Sequence, residues 1–230
     1  MSIKIGMLHT VASNAAAIGP LVSTEVAPRL GVAASELDVL HMVDENLLRD
    51  TIDHGLLPGT MRRVAALLAF AEESGASAVL VTCSSIGAAV DAARPLVGVP
   101  VLRIDAPMAD EAVRRATDGG GTGRIGVVAT LSSTLGPTAD LIRRTAAAVH
   151  ADVHVQDAVV DGAFTALRSG DTSTHDALIA RAVGDLADRS DVVVLAQASM
   201  ARATGALTVP TPVLTSTVSG VRQLADALAG

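Results

Sequence analysis

Short, continuously apolar runs alternate along this chain with longer stretches in which alanine and leucine recur at helical spacing. The apolar runs predict strands at Ile3–Leu8, Glu36–His41, Ala78–Val81, Val101–Ile104, Arg124–Ala129, Asp152–Gln156, Val192–Leu195 and Val213–Thr215. The longer stretches predict helices at Asn14–Arg29, Pro58–Ser74, Ala106–Thr117, Thr134–Val149, Thr174–Arg189 and Ser219–Leu228. Strands that are apolar at successive rather than alternate positions are buried on both faces. Separated by helices, they predict an α/β fold with mainly parallel sheets flanked by helices.

The order of landmarks repeats. The first half reads Ile5-Gly6-Met7-Leu8, Val43-Asp44, Val79-Leu80-Val81-Thr82-Cys83-Ser84-Ser85 and Val99-Pro100-Val101-Leu102. The second reads Ile125-Gly126-Val127-Val128, Val160-Asp161, Val193-Val194-Leu195-Ala196-Gln197-Ala198-Ser199 and Thr211-Pro212-Val213-Leu214. Val43 precedes Cys83 by 40 residues, and Val160 precedes Gln197 by 37. A period near half the chain means two related lobes rather than a solenoid. The glycine-rich run Asp118–Gly123 precedes a strand instead of following one, so it reads as a connection and not as a dinucleotide fingerprint.

Composition narrows the chemistry. Half of the 230 residues are hydrophobic and 18% are charged, and the mean hydropathy is +0.47. No apolar run approaches the roughly 20 residues of a membrane span. Residues 1–6 lack a basic stretch leading into a long apolar one, and a single cysteine excludes an internal disulfide framework. These features predict a cytoplasmic protein with no membrane partner. The net charge of −7, two Phe and no Trp or Tyr argue against nucleic acid, which favours basic surfaces and stacking rings. Lys4, the only lysine, starts a strand, far from the end where α/β sites form, which disfavours Schiff-base chemistry. There is no Gly-Lys-Ser/Thr loop for a nucleotide phosphate.

Ligands of open α/β sheets bind beyond the carboxyl ends of the strands. The segments there are His9–Asn14, Thr82–Ser85, Thr130–Thr134 and Gln197–Ser199, dense in small hydroxyl residues that lead into helices. Hydroxyls and open backbone N–H groups at a helix start suit a carboxylate, although Ser and Thr also serve there as ordinary caps. Cys83 stands at a strand end ahead of a helix, where the thiol pKa is expected to fall; a cysteine is equally at home as a small buried hydrophobe. His9 lies in the first strand-end loop and is a candidate proton carrier. His41 and His54 are weaker candidates, and His150, His154 and His175 read as ordinary positions. No His/Cys/Asp cluster has zinc-ligand spacing, so no metal is expected. Ala89 occupies the place where a Cys-x5-Arg phosphatase loop needs arginine.

The duplicated halves, with Val81-Thr82-Cys83-Ser84-Ser85, Leu195-Ala196-Gln197-Ala198-Ser199-Met200 and Ile104-Asp105-Ala106-Pro107-Met108, resemble the aspartate/glutamate/hydantoin racemase superfamily. That group includes amino-acid racemases, maleate isomerase and arylmalonate decarboxylase. The resemblance implies two pseudo-twofold-related flavodoxin-like lobes, residues 1–105 plus 214–230 and residues 106–213, with the site between them. It implies no cofactor, a homo-oligomer, and a small carboxylate substrate. One cysteine from each half would flank the substrate carbon as acid and base. Cys83 matches the first thiol, and Ser84 and Ser85 match the carboxylate-binding pair that follows it. Thr10, Asn14, Thr130, Ser132, Ser133, Ala198 and Ser199 fall in the surrounding substrate-binding loops. The position of the second thiol is Gln197, whose amide does not titrate near neutrality.

Three readings follow. The first is a racemase or isomerase in which Cys83 acts as acid–base group or nucleophile and His9 supplies the other proton. The second is a decarboxylase, which needs a single protonation; the decarboxylase in this group keeps its thiol in the second half, so the proton would arrive from the opposite face. The third is a carboxylate-binding protein without chemistry.

Overall fold

The apolar runs pair side by side, every pair parallel, in the computed structural model, which describes residues 2–229. The chain divides into two units, Met1–Asp105 with Thr217–Gly230, and Ala106–Ser216. The first unit runs β1 (Ile3–His9), α1 (Ala12–Leu21), α2 (Ala27–Leu30), β2 (Leu37–Val43), α3 (Glu45–His54), α4 (Pro58–Glu73), β3 (Ala78–Val81), α5 (Gly87–Ala93) and β4 (Val101–Arg103). The second runs α6 (Ala106–Thr117), β5 (Arg124–Ala129), α7 (Ser132–Ala148), β6 (His154–Val159), α8 (Ala163–Arg168), α9 (Thr172–Ala187), β7 (Val192–Leu195) and β8 (Val213–Thr215). The final helix, α10 (Thr217–Ala229), returns to the first unit.

The two sheets share one topology, β2-β1-β3-β4 in the first unit and β6-β5-β7-β8 in the second. They also share a register. Leu8 stands opposite Val81 in the first, and Val128 stands opposite Leu195 in the second. The central strands β3 and β7 are buried along their whole length, as their unbroken apolar sequences require. In the first unit α4 lays Val64, Leu68 and Ala71 against Leu8, Val79 and Val81. In the second, α7 and α9 cover opposite faces. Ile142 packs with Ile125, Val127 and Val194, while Ile179 and Val183 pack with Val128, Val193 and Leu195.

The predicted helix over residues 14–29 is interrupted. After Pro20, which supplies no N–H and crowds the preceding turn, the chain widens into a π turn at Val22–Val26. The helices α3, α5 and α8 were not predicted. α5 and α8 span only seven and six residues, too few to establish a period, whereas α3 carries helical spacing at Leu47, Leu48, Thr51 and Ile52 that is masked by its many polar residues. Strand β6 begins two residues after the predicted start and extends to Val159. As an edge strand pairing with β5 alone, it carries polar positions that blur its outline.

Two contacts fix the end of β4, next to the elements that carry Cys83. Arg103 is buried and bound by both oxygens of Asp105, at 2.9 and 2.8 Å, with Asp91 at 2.9 Å. Helix α10 closes on the same place, because Gly220 has no side chain; a Cβ there would lie 2.3 Å from the carbonyl oxygen of Ile104. Gln223 Nε2 then donates to the carbonyl of Arg103 at 2.7 Å.

Removing Asp105 from the buried pair leaves Arg103 with the more exposed Asp91 as its remaining anion. Asp105→Ala is expected to lower unfolding free energy by about 3–5 kcal/mol. Gly220→Ala forces backbone apart and is expected to cost about 1–3 kcal/mol. Urea denaturation of both variants measures these losses.

Candidate functional site

In the first unit the candidate residues gather where β1 and β3 stop pairing. The Thr82 N–H donates to the carbonyl of Leu8 at 3.0 Å, one step past the last paired residues. Cys83 remains extended (φ −130°, ψ 118°), and a 3₁₀ turn at Ser84–Ile86 leads into α5. Successive side chains of an extended chain face opposite sides. Cys83 therefore shares the face of Leu8, Val81 and the cluster around Leu47 and Val64, against which it packs, while Thr82 faces the other way. The thiol is half-buried and is the only cysteine.

Its electrostatic surroundings are specific. Burial pushes the Cys83 thiol above its ordinary pKa. The Thr10 hydroxyl, the N–H and hydroxyl of Ser85 and the N–H of Ile86 pull in the opposite direction without reversing the shift. The fall expected from a following helix is overruled, because a single 3₁₀ turn follows directly and desolvation of the thiolate outweighs its N–H groups. Thr10 Oγ1 is fully buried and makes no hydrogen bond within the chain, although it lies near enough to the sulfur to favour thiolate. Ser84 and Ser85 are also buried. Asn14 is half-buried in the first turn of α1, which starts at apolar Val11 without a side-chain cap. The first N–H of that helix, at Ala12, is instead taken by Glu45 of α3, at 3.1 Å.

His9 is not among the groups around the sulfur. It lies on the opposite face, fully buried, with Nδ1 2.9 Å from Thr82 Oγ1 and Nε2 3.0 Å from Nδ1 of His41. Burial and the neighbouring His41 lower its pKa to about 4, so it is neutral at physiological pH. The sequence offers His41 as a weaker candidate and Thr82 within a strand-end segment, but not their bonds to His9. The signal that would have found them is strand alternation combined with register, since His41 stands opposite Met7, on the face of His9.

In the second unit the equivalent strand ends bring Thr130 and Gln197 together. Gln197 Oε1 accepts from the Thr130 N–H at 2.6 Å and from its hydroxyl at 2.9 Å. With its oxygen engaged, the half-buried amide presents its NH₂ group as a hydrogen-bond donor. Ser132 is exposed and Ser133 half-buried in the first turn of α7, and the Ser133 hydroxyl makes no hydrogen bond. Ala198 and Ser199 are half-buried in the 3₁₀ segment Ala198–Ala206. Among the described residues, no group of three or more His, Cys, Asp or Glu side chains is arranged to hold a metal ion, and no helix is long and apolar enough to cross a membrane.

Comparison with known proteins agrees with this fold. The Asp/Glu/Hydantoin racemase family model matches residues 25–224. No curated protein matches at the level of sequence. Among solved structures, a glutamate racemase from Bacillus anthracis is 17% identical with a TM-score of 0.68, covering 99% of this chain and 82% of that one. An aspartate racemase homologue from Pyrococcus horikoshii is 16% identical with a TM-score of 0.68, covering 99% of each chain. A Gly74Cys mutant of arylmalonate decarboxylase is 19% identical with a TM-score of 0.57, covering 99% of this chain and 94% of that one. At these identities the structural likenesses establish the fold alone. The family match spans most of the sequence, and on that ground the chain belongs to the Asp/Glu/hydantoin racemase family.

Proposed function

We propose that this protein is a cofactor-independent racemase or isomerase of a small carboxylic or amino acid, with Cys83 as its acid–base group or nucleophile. The observation that carries the reading is the setting of the sulfur. A single thiol stands at the carboxyl end of a parallel sheet, amid the hydroxyls of Thr10 and Ser85 and the N–H groups of Ser85 and Ile86. Removing a proton beside a carboxylate leaves charge that spreads onto the carboxylate oxygens. Fixed donors that need not reorient stabilise that charge, and a positioned thiol carries the proton. His9, committed to Thr82 and His41, does not serve as the second proton carrier in this scheme.

A second reading, a decarboxylase of a malonate-like acid, is favoured by Gln197. Its amide, whose oxygen accepts from Thr130, does not titrate where a two-thiol racemase needs a titrating group. In decarboxylation the carbon–carbon bond to the departing carboxylate breaks and carbon dioxide leaves. The electron pair remains on the α-carbon, and one thiol proton completes the product. A thiol whose pKa is raised holds that proton at neutral pH. The family supports a small carboxylate substrate and a homo-oligomer, the single cysteine supports a cytoplasmic setting, and the acidic composition with few aromatic residues argues against nucleic acid as a partner.

Turnover in D₂O over a panel of small carboxylic, amino and malonate-type acids tests the reading. The expected result is deuterium at the α-carbon, retained in recovered substrate for a racemase or appearing once in product, with carbon dioxide released, for a decarboxylase. Cys83→Ser should reduce the rate by about 10²–10⁴-fold, the usual worth of a positioned acid–base group; an unchanged rate would remove Cys83 from the chemistry.

The pH profile separates the two chemistries. If Cys83 must be thiolate, kcat/KM should climb with pH to a midpoint above the ordinary thiol value. If it must be thiol, kcat/KM should stay level through neutrality and fall on the alkaline side.

A further inference from the structure

Beneath the Thr10–Cys83 face, a second set of polar groups ties three neighbouring strands together. Thr82 Oγ1 donates to the carbonyl of Leu8 at 3.2 Å. Its oxygen therefore accepts from His9, which fixes the proton of His9 on Nδ1. Nε2 of His9 is then an acceptor, and its partner at 3.0 Å, Nδ1 of His41, must carry a proton. One order of donors satisfies every bond, running from His41 on β2 through His9 on β1 to Thr82 beyond β3. It requires a neutral His9, in keeping with the pKa of about 4. The two rings lie 5.2 Å apart at 29°.

Helix α1 is cut to admit this arrangement. A Cβ on Gly19 would approach His41 Cε1 to 3.0 Å and Nε2 to 3.1 Å. The helix, Ala12–Leu21, carries no charged side chain; His9 and Thr82 are buried, while His41 is exposed and joins them from the edge strand.

The duplication supplies an internal control. The register that matches Leu8–Val81 to Val128–Leu195 also matches Thr82 to Ala196, and both of these N–H groups continue the ladder, at 3.0 and 2.9 Å. By the same count His9 corresponds to Ala129 and His41 to Asp157, because Met7 pairs with His41 and Val127 with Asp157. The half that carries Gln197 thus has two alanines where the half that carries the thiol has an imidazole and a hydroxyl.

We propose that His41 is a positioning residue for Cys83: acting through His9 and Thr82, it braces the ends of β1 and β3 so that the Thr10 hydroxyl stays against the sulfur. Its value to turnover rests on the reading of Cys83 as the reactive group. The brace itself acts on the thiol whether or not that reading holds.

Because Cys83 is the only cysteine, its alkylation by iodoacetamide reports the thiol directly. Rates would be followed by intact mass across neutral and alkaline pH. His41→Leu removes the donor to His9. The released brace lets Thr10 drift, the thiolate loses a favourable neighbour, and alkylation at neutral pH should slow by about threefold or more, with its pH midpoint raised. His41→Asn keeps an N–H near the original place and should stay within about twofold of the parent. Gly19→Ala, which presses on the ring without removing any polar group, should shift the rate in the direction of His41→Leu. A His41→Leu rate and midpoint equal to the parent's, or equal slowing in His41→Leu and His41→Asn, would overturn the proposal. If Cys83→Ser left turnover intact, the reaction assigned to this thiol would fall, while the alkylation series would still report on the brace.

Discussion

The structure depends on where two parallel strands stop. β1 and β3 remain in register up to Leu8 and Val81, and one further hydrogen bond, from the Thr82 N–H to the Leu8 carbonyl, carries the ladder past the last paired residues. Beyond it the two chains diverge, one into α1 and the other into a 3₁₀ turn. Alternation of side chains then does the rest. It sets Thr10 and Cys83 on one side of the sheet and His9 and Thr82 on the other. The polar atoms of both pairs follow from that single register. A slip by one residue would bury the histidine among aliphatic side chains and turn the thiol away from its donors.

Burial gives the site its chemical character. The sulfur packs against an aliphatic cluster, and its thiolate therefore loses hydration. The nearby hydroxyls and N–H groups return part of that loss at fixed positions. An anion stabilised by fixed dipoles needs no rearrangement of solvent when it forms, which is the advantage a carbanion reaction requires. The same desolvation keeps the resting thiol protonated. That state suits a proton donor directly, and it suits a base once substrate or pH has shifted the balance.

Duplication makes the differences between the halves informative. Topology, register and the apolar starts of α1 and α7 are shared, so the common features belong to the fold. The departures fall at the strand ends. Thr10 and Cys83 correspond to Thr130 and Gln197, and His9 and Thr82 correspond to Ala129 and Ala196. In the first unit the threonine hydroxyl faces a group that can titrate; in the second it holds an amide oxygen in place. The titratable side chains at these strand ends are thus concentrated in the first unit.

The α/β class, the parallel strands, the repeat and the placing of Cys83 at a strand end were legible in the sequence. They depend on local signals: unbroken apolar runs, their spacing, and the same landmarks met twice. Short helices such as α5 and α8 were not legible, because six or seven residues make no period. Nor were the partners of His9 and Gln197. A histidine next to a strand-end loop reads as a candidate for the site, yet the side of the sheet it faces depends on pairing with residues 32 and 73 positions away. Gln197 reads as a lost thiol, and only its bond to Thr130, across 67 residues, decides that it presents a donor. Local periodicity is written in consecutive residues. Orientation and solvation are set by partners distant in the chain, and these only the tertiary structure brought together.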